Sequence, residues 1–148
     1  MKISSKGRYG LAAMIHIAKK GNNGEFITII SIAEELKISK IYLEQVFSLL
    51  KRSNLVISVK GAQGGYQLSK SPEDITAREI LEAIEVSLFE TTDSTVSESA
   101  NDIEKAMTEL LWTKLDEEIA VTLVSVSLKD LVIEAKNHEN DREDMYYI

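Results

Sequence analysis

The sequence predicts a mostly α-helical fold with a small β-hairpin wing, that is, a winged helix-turn-helix followed by a long helix. Three observations carry this prediction. Two short amphipathic helices follow one another after a first helix, and a hairpin with a glycine-rich tip comes directly after them. A longer stretch of apolar residues at helical spacing begins near Asn101. The order of helix, turn, helix and hairpin is that of a winged helix-turn-helix.

Length and composition exclude several classes of protein. A chain of 148 residues with 44% apolar residues is able to bury a core and is not broadly disordered. The absence of cysteine excludes disulfides, thiolate metal sites, cysteine-ligated iron–sulfur clusters and thiol nucleophiles. The only imidazoles are His16 and His138, so we predict no metal site and no cofactor. Without an apolar leader or an apolar run of ~18 residues, we expect a cytoplasmic protein with no membrane contact.

The net charge of −7 hides a strong asymmetry. Residues 1–70 carry 11 lysines and arginines against 4 glutamates, whereas residues 71–148 carry 6 basic and 20 acidic residues. Because screening limits electrostatic interactions to roughly 8 to 10 Å, a basic half is able to bind phosphates despite an acidic rear. The alternative is a chance asymmetry on a solvated surface.

The first helix is predicted over residues 4–20, with Ser4 or Ser5 as its N-cap. Its apolar stripe is wide, which suggests burial on more than one side. Within that stripe, His16 is interpreted as a packed core residue rather than a ligand. The basic and aromatic residues at the helix start, which we expect to meet a phosphate backbone, are Lys2, Lys6, Arg8 and Tyr9.

The second and third helices form the predicted helix-turn-helix. A short strand is expected at residues 26–29, and Ser31 is expected to cap the second helix, with Glu34 completing a capping box. Ser39 is the predicted cap of the third helix. The apolar stripe of the third helix is Leu43, Val46, Phe47 and Leu50, and its polar face includes Lys40, Tyr42, Glu44 and Gln45.

A β-hairpin is predicted directly after the third helix. Residues 55–59 alternate as a strand, glycines mark the tip, and residues 66–68 return as a second strand. The tip lacks the Gly-Lys-Ser/Thr ending and the following helix of a nucleotide phosphate loop. The hairpin residues that we expect at DNA are Lys60, Gly61, Gln63, Gly64, Gly65 and Tyr66, and Ser39 joins them from the start of the third helix.

The remaining chain is predicted to be helical, with one linker. Thr76 caps a fourth helix, residues 87–100 form a linker, and a long helix starts at Asn101. Residues 121–126 suit a helix or a strand. Ser127 is the predicted cap of a last short helix. The predicted units are a winged helix at 1–86, the linker, dimerisation helices at 101–137 and an acidic flexible tail at 138–148.

Four segments together resemble a known family. In order they are MKISSKGRYGL, YLEQVFSLLKRSNLV, SVKGAQGGYQL and ITAREILEAIE. The chain is similar in these motifs, up to about residue 86, to the Rrf-type winged-helix transcriptional repressors. That family includes iron–sulfur cluster regulators and repressors of cysteine metabolism.

The resemblance implies a homodimer that binds double-stranded DNA at a palindromic operator. It places Tyr42, Glu44 and Gln45 in the major groove, and Lys60 where the family usually has a minor-groove arginine. Lysine keeps the charge but lacks the planar fork of arginine, so weaker readout of a narrow groove is expected. The long dimerisation helix is implied to join the two chains through Leu111, Trp112, Leu115 and Ile119.

The resemblance also indicates a branch of the family. Cluster-binding members carry three cysteines in the loop that is here residues 87–100, and this chain has none. The cysteine-metabolism repressor ends similarly in Tyr-Ile and binds O-acetylserine sulfhydrylase. A flexible tail ending in Tyr147 and Ile148 suits capture by such a partner. Packing of these residues on their own dimer is the alternative.

These observations lead to two functional hypotheses of different classes. The first is a sequence-specific DNA-binding transcriptional repressor, with a role in cysteine or sulfur metabolism implied by the resemblance. The second is a protein-interaction adaptor that binds a metabolic enzyme through its tail without specific DNA binding. We do not expect an enzyme, because no nucleophile lies beside a base and no cofactor fingerprint occurs.

Overall fold

The computed structural model describes residues 2–21, 24–61 and 64–146. The helices are α1 (Ser5–Lys20), α2 (Ile29–Leu36), α3 (Lys40–Arg52), α4 (Ala77–Ile84), α5 (Asn101–Met107), α6 (Thr113–Ser125) and α7 (Leu128–Tyr146). The strands β1 (Val56–Val59) and β2 (Gly65–Leu68) form an antiparallel hairpin. The fold class is therefore mostly helical with a two-stranded wing, as predicted. None of the helices described has the length and apolarity needed to cross a membrane.

The core is built from the apolar stripes of α1 and α3. Met14, Ile17, Val46 and Phe47 have essentially no exposed surface, and the predicted stripe of α3 is buried in full. Ser4 caps α1 by accepting a hydrogen bond from the backbone N–H of Gly7 at 3.1 Å. These stripes fix which side of each helix faces solvent.

The second helix begins earlier than predicted. Its N-cap is Thr28, whose Oγ1 accepts from the backbone N–H of Ser31 at 3.1 Å. The prediction that Ser31 is the cap is therefore wrong, since Ser31 already lies in the first turn of α2. Serine is the slightly better N-cap by residue type, but the β-bridge of Ile27 lies directly before Thr28 and favours a helix that begins there.

A tight turn connects α2 to α3. Lys37 ends α2 in the left-handed region at φ 57°, and the backbone N–H of Ile38 donates to the carbonyl of Ala33. Ser39 occupies the N-cap position of α3 as predicted, but its side chain makes no capping hydrogen bond. The exposed Ser39 hydroxyl is thus not committed to the helix backbone.

A β-bridge joins the wing to the segment before α2. Ile27 pairs with Tyr66, with N–H···O distances of 2.8 and 2.7 Å. The strand expected at residues 26–29 is therefore reduced to one bridging residue, because Thr28 caps α2 and Ile29 starts it. The ring of Tyr66 also packs against Phe47 of α3, with centroids 4.6 Å apart. Wing and recognition helix thus share the core.

The fourth helix packs closely against the start of α1. Thr76 and Glu79 form the predicted capping box, each side chain accepting from the other residue's backbone N–H. A Cβ at Gly10 would overlap the side chain of Ile84, so glycine permits this close approach. At the end of α4, Glu85 Oε1 accepts from the backbone N–H of Ser4 at 2.6 Å.

The long helix, residues 101–125, runs from α5 through a π-helical segment (Thr108–Trp112) into α6. The ambiguous residues 121–125 are helical, and Val126 is extended. Before the long helix, residues 87–100 contain parts of two short 3-10 turns (Val86–Phe89 and Glu98–Ala100).

The last helix is longer than predicted and belongs to the core. Ser127 caps α7 by accepting from the N–H of Asp130, whose carboxylate accepts from the N–H of Ser127. Leu128 and Val132 are buried in the same cluster as the α1 and α3 stripes. Residues 138–146, for which we expected a flexible tail, continue the helix to Tyr146.

Candidate nucleic-acid interface

The outer face of α3 is polar and exposed, whereas its inner face packs into the core. Lys40, Tyr42, Glu44 and Gln45 are exposed, whereas Leu43 between them is fully buried. The three- and four-residue spacing places these side chains along the face opposite the core. A recognition helix contacts base edges with its N-terminal residues, and this stripe occupies the first half of α3.

The start of α1 lies beside this stripe. The rings of Tyr9 and Tyr42 meet edge to face, with centroids 5.9 Å apart. Lys6 lines a surface groove together with Glu44 and Gln45. The guanidinium of Arg8 donates to Ser5 Oγ at 3.2 Å. The predicted basic cluster and the predicted recognition face therefore form one continuous surface, and exposed Lys2 lies just before α1.

The wing tip supplies a second basic element. Lys60 is exposed directly after β1, and the N–H of Gly64 donates to the carbonyl of Gly61 at 3.0 Å. Gly61 and Gly65 have φ of +119° and +143°, values that favour glycine. At Gly64, a Cβ would overlap the carbonyl of Val59. The glycines thus shape the tip that carries Lys60, and Gln63 lies outside the described residues.

Several cations of this surface make no ion pair in the part of the chain that the structure describes. They are Lys2, Lys6, Arg8 and Lys60. By contrast, Lys19 is bound to Glu139 of α7 at 3.1 Å and Lys70 to Glu79 at 2.9 Å. Lys19 and Lys70 are thus paired with carboxylates of the acidic half, whereas the four cations named above remain available for phosphates.

One carboxylate lies within the recognition face. Glu44 Oε1 is 3.7 Å from Lys40 Nζ, one helical turn away. Such an exposed pair contributes little to stability and is easily exchanged for other partners. Glu44 is therefore free to accept a hydrogen bond from a cytosine amino group in the major groove.

His16 serves the core rather than a ligand site, as interpreted from the sequence. It is 8% exposed, and its Nε2 lies 3.6 Å from Glu35 Oε2. Burial lowers the pKa of His16, and nearby Lys20 and Lys19 lower it further, while Glu35 opposes this shift. The contact between His16 and Glu35 joins α1 to α2. In the described residues, no cluster of side chains is suited to a metal ion.

The predicted dimer residues of the long helix differ in exposure. Leu111 and Leu115 are exposed, together with Leu110, Val121 and Val124. Trp112 is half-buried, and its Nε1 is buried without a hydrogen-bond partner in the described structure. Ile119 instead lines a cavity of about 280 Å³ with Ile3 and Leu81 of the same chain. Its side chain therefore also packs within its own subunit.

Comparison with known proteins identifies the family. The model of a family described as "Iron-dependent Transcriptional regulator" matches residues 3–134. The chain is 39% identical to the HTH-type transcriptional regulator CymR of Bacillus subtilis, over 100% of both chains. The chain belongs to the Rrf2 family. It is thus a DNA-binding transcriptional regulator, and the family resemblance inferred from the motifs is confirmed.

Other comparisons of this Rrf2 regulator agree. It is 36% identical to the HTH-type transcriptional regulator IscR of Photorhabdus laumondii, over 89% of this chain and 79% of the relative. The solved structure of CymR, the global cysteine regulator of B. subtilis, superposes with a TM-score of 0.74 at 35% identity and covers 90% of this chain and 98% of the other. The structure of IscR from T. potens gives a TM-score of 0.68 at 32% identity, over 91% and 88%. These relatives are named as regulators rather than enzymes.

Sequence reasoning missed two features of this Rrf2 regulator's interface. Ile41 is 68% exposed among the polar residues of α3, although isoleucine is among the residue types that are most often buried. Its position two residues before Leu43, off the three- and four-residue spacing, is the available signal. The bond from Ser4 to Glu85 carries no sequence signal, since it joins residues 81 positions apart. The predicted tail residues Tyr147 and Ile148 lie outside the described residues.

Proposed function

We propose that this Rrf2 regulator acts as a homodimer that represses genes of cysteine metabolism by binding a palindromic operator. The observation that carries the DNA contact is the surface that the polar stripe of α3 shares with the basic start of α1, whose cations make no ion pair in the described residues. Lys60 at the wing tip adds a further exposed cation. Phosphate contacts from the cations position the protein, and the α3 stripe reads base edges.

The dimer is supported by the apolar side chains of the long helix. Leu110 is 79% exposed and Val121 68% exposed, and four further large apolar residues of this helix are also exposed: Ile103, Leu111, Leu115 and Val124. A row of this size on a helix favours burial against another subunit. A two-fold dimer would present two winged helices to half-sites separated by about one or more helical turns of roughly 34 Å.

The regulated genes are proposed from the likeness to CymR, which is described as the global cysteine regulator of B. subtilis. The lack of cysteine in the sequence further favours a regulator that works without an iron–sulfur cluster. Since the named relatives are bacterial transcriptional regulators, we propose that the protein acts in the cytoplasm. Nothing in the comparisons favours the adaptor alternative.

The decisive experiment is selection of bound fragments from the organism's own genome with the full chain. We expect enrichment of a palindrome upstream of genes for sulfur-amino-acid metabolism. A palindrome upstream of unrelated genes would support sequence-specific DNA binding and overturn the proposed role in cysteine metabolism. Absence of any enriched sequence, with a chain that is folded and dimeric, would overturn the proposed function.

The proposed enzyme partner is O-acetylserine sulfhydrylase, bound through Tyr147 and Ile148. The support is the Tyr-Ile ending that this sequence shares with the cysteine-metabolism branch, and a C-terminal tail of this kind suits capture in a pocket of backbone N–H groups. Deletion of Tyr147 and Ile148 should abolish co-purification of the enzyme and leave operator binding intact. Undiminished co-purification would exclude the tail as the docking element.

A further inference from the structure

We propose that Ile41 reads the 5-methyl group of a thymine in the major groove. Ile41 is 68% exposed, which is the largest exposed fraction among the large apolar residues of α1 to α4 and the wing in the described residues. It is the second residue of α3, at the helix end that faces bases in a helix-turn-helix. The inference rests on the proposed function and names one chemical group of a base that the protein would recognise.

The helix places Ile41 among the residues that read bases. Glu44 and Gln45 follow at three and four residues, so the three side chains lie on one face. Ile41, Glu44 and Gln45 line the same surface groove, which Lys6 closes from α1. Any base pair that hydrogen-bonds to Gln45 or Glu44 therefore lies next to a base pair within reach of Ile41.

Chemistry limits what Ile41 is able to contact there. An isoleucine side chain has no donor or acceptor, so it makes no hydrogen bond with phosphates or with the polar edges of bases. In the major groove, the apolar group presented by an unmodified base pair is the thymine methyl. 5-Methylcytosine presents the same group, and the experiment below distinguishes the two sources.

In the described residues, no other segment of the chain covers most of the Ile41 side chain. Six of the other exposed large apolar side chains in the described residues lie along the long helix, where they form the row proposed for the dimer. Ile41 lies instead in the groove between α3 and the start of α1, on the same surface as the unpaired Lys6. Burial of an apolar group against a thymine methyl removes both from water, and one methyl is worth about a three- to five-fold change in affinity.

The test uses duplexes selected by the full chain from a random-sequence DNA pool, so the natural operator need not be known. Each thymine of a selected duplex is replaced in turn by deoxyuridine, which removes only the methyl group. We expect one thymine per half-site whose replacement weakens binding about three- to five-fold. The Ile41→Ala variant should bind the thymine and deoxyuridine duplexes equally. Ile30→Ala, at a comparably exposed isoleucine of α2, is the matched control and should keep the difference.

The outcomes separate this inference from the proposed function. Selection of defined sequences that bind equally well with deoxyuridine at every position would overturn the role of Ile41 and leave DNA binding intact. An effect of methylating cytosine, without an effect of deoxyuridine, would overturn thymine as the source of the methyl group. If replacing thymine by deoxyuridine still weakened binding of the Ile41→Ala variant, another residue would contact the methyl group. Failure to select any sequence would overturn the proposed function and this inference together.

Discussion

The rings of Tyr9 on α1 and Tyr42 on α3 meet edge to face, with centroids 5.9 Å apart and an interplanar angle of 61°. The contact joins the basic start of the first helix to the recognition helix. It fixes the direction in which Tyr42 leaves α3, because the ring of Tyr9 occupies one side of it. The two predicted DNA-binding clusters are therefore held in one arrangement before DNA is bound.

Loss of this contact should lower the free energy of unfolding. In Tyr9→Ala, the ring of Tyr42 loses its neighbour, and we expect a coupling free energy of about 0.5 to 1.5 kcal/mol between the two positions. A double-mutant cycle with Tyr42→Ala, followed by urea unfolding at a fixed protein concentration, measures it. Tyr9→Phe keeps the ring and should retain the coupling. Additive single changes would show that the rings do not support each other.

Replacement of Lys60 tests the wing. Lys60→Ala should weaken operator binding and reduce the slope of log K against log salt by about one phosphate contact. Titrations at several salt concentrations measure both quantities. Lys105→Ala, which removes an exposed lysine from the acidic half, is the control and should change neither. An unchanged slope for Lys60→Ala would remove the wing tip from the interface.

Replacement of Gln45 tests base readout by α3. Gln45→Ala should cost about 1 to 3 kcal/mol on a selected site, because a glutamine amide makes a paired contact with adenine. The loss on random-sequence DNA should be much smaller. Lys6→Ala provides the contrast, since loss of a phosphate contact should weaken both kinds of DNA alike. If Gln45→Ala lost equal binding free energy on the selected site and on random-sequence DNA, Gln45 would position the protein and would not read a base.

Replacement of Gly65 tests how the wing is attached to the rest of the fold. Its φ is +143°, and a Cβ would lie 2.5 Å from the carbonyl oxygen of Ile27, which belongs to the bridge that holds the wing. We expect Gly65→Ala to lower the free energy of unfolding by about 1 to 3 kcal/mol. Gly24→Ala should cost less, because Gly24 also has a positive φ but open space around its Cβ position. Equal costs in chemical unfolding would contradict the steric explanation.

The capping box predicts an acid-sensitive contribution to stability. Burial raises the pKa of Glu79, but hydrogen bonds from Lys70 and from the Thr76 N–H outweigh it, so the pKa lies below its ordinary value of 4.5. A carboxyl with a lowered pKa stabilises the folded state above pH 4.5, and this contribution is lost as the pH falls through the lowered value. Glu79→Gln should therefore flatten the fall of stability with acid.

Unfolding in urea between pH 7 and pH 3 measures the effect of Glu79→Gln. Lys70→Gln removes the charged partner and should reduce the acid dependence in the same direction, though less, since the bond from Thr76 remains. A slope in Glu79→Gln equal to that of the unmodified chain would show that other carboxyls account for the acid sensitivity.

Local patterns predicted the parts of the fold that depend on neighbouring residues. The burial of Leu43, Val46, Phe47 and Leu50 follows from spacing, and the capping box at Thr76 follows from two residue types three positions apart. The two strands of the hairpin likewise follow from alternation and glycines. These features need no knowledge of distant segments.

The parts that sequence did not predict depend on contacts between distant segments. The N-cap of α2 at Thr28 follows directly after the bridge from Ile27 to Tyr66, which lies 39 positions later in the chain. The pairing of Lys19 with Glu139 and the length of α7 depend on helix packing across the whole chain. In the site, the polar stripe of α3 was predictable, whereas the exposure of Ile41 required the structure.

The burial of Leu128 and Val132 has a consequence for synthesis. These residues of α7 complete the core that α1 and α3 begin, and backbone hydrogen bonds join Leu128 to Ile75 and Ala77 to Val126. A nascent chain that has emerged only as far as the wing therefore lacks part of the apolar surface that holds its helix-turn-helix together. We therefore expect the DNA-reading surface to fold stably only after α7 has left the ribosome, and chains cut short before α7 to bind the operator weakly.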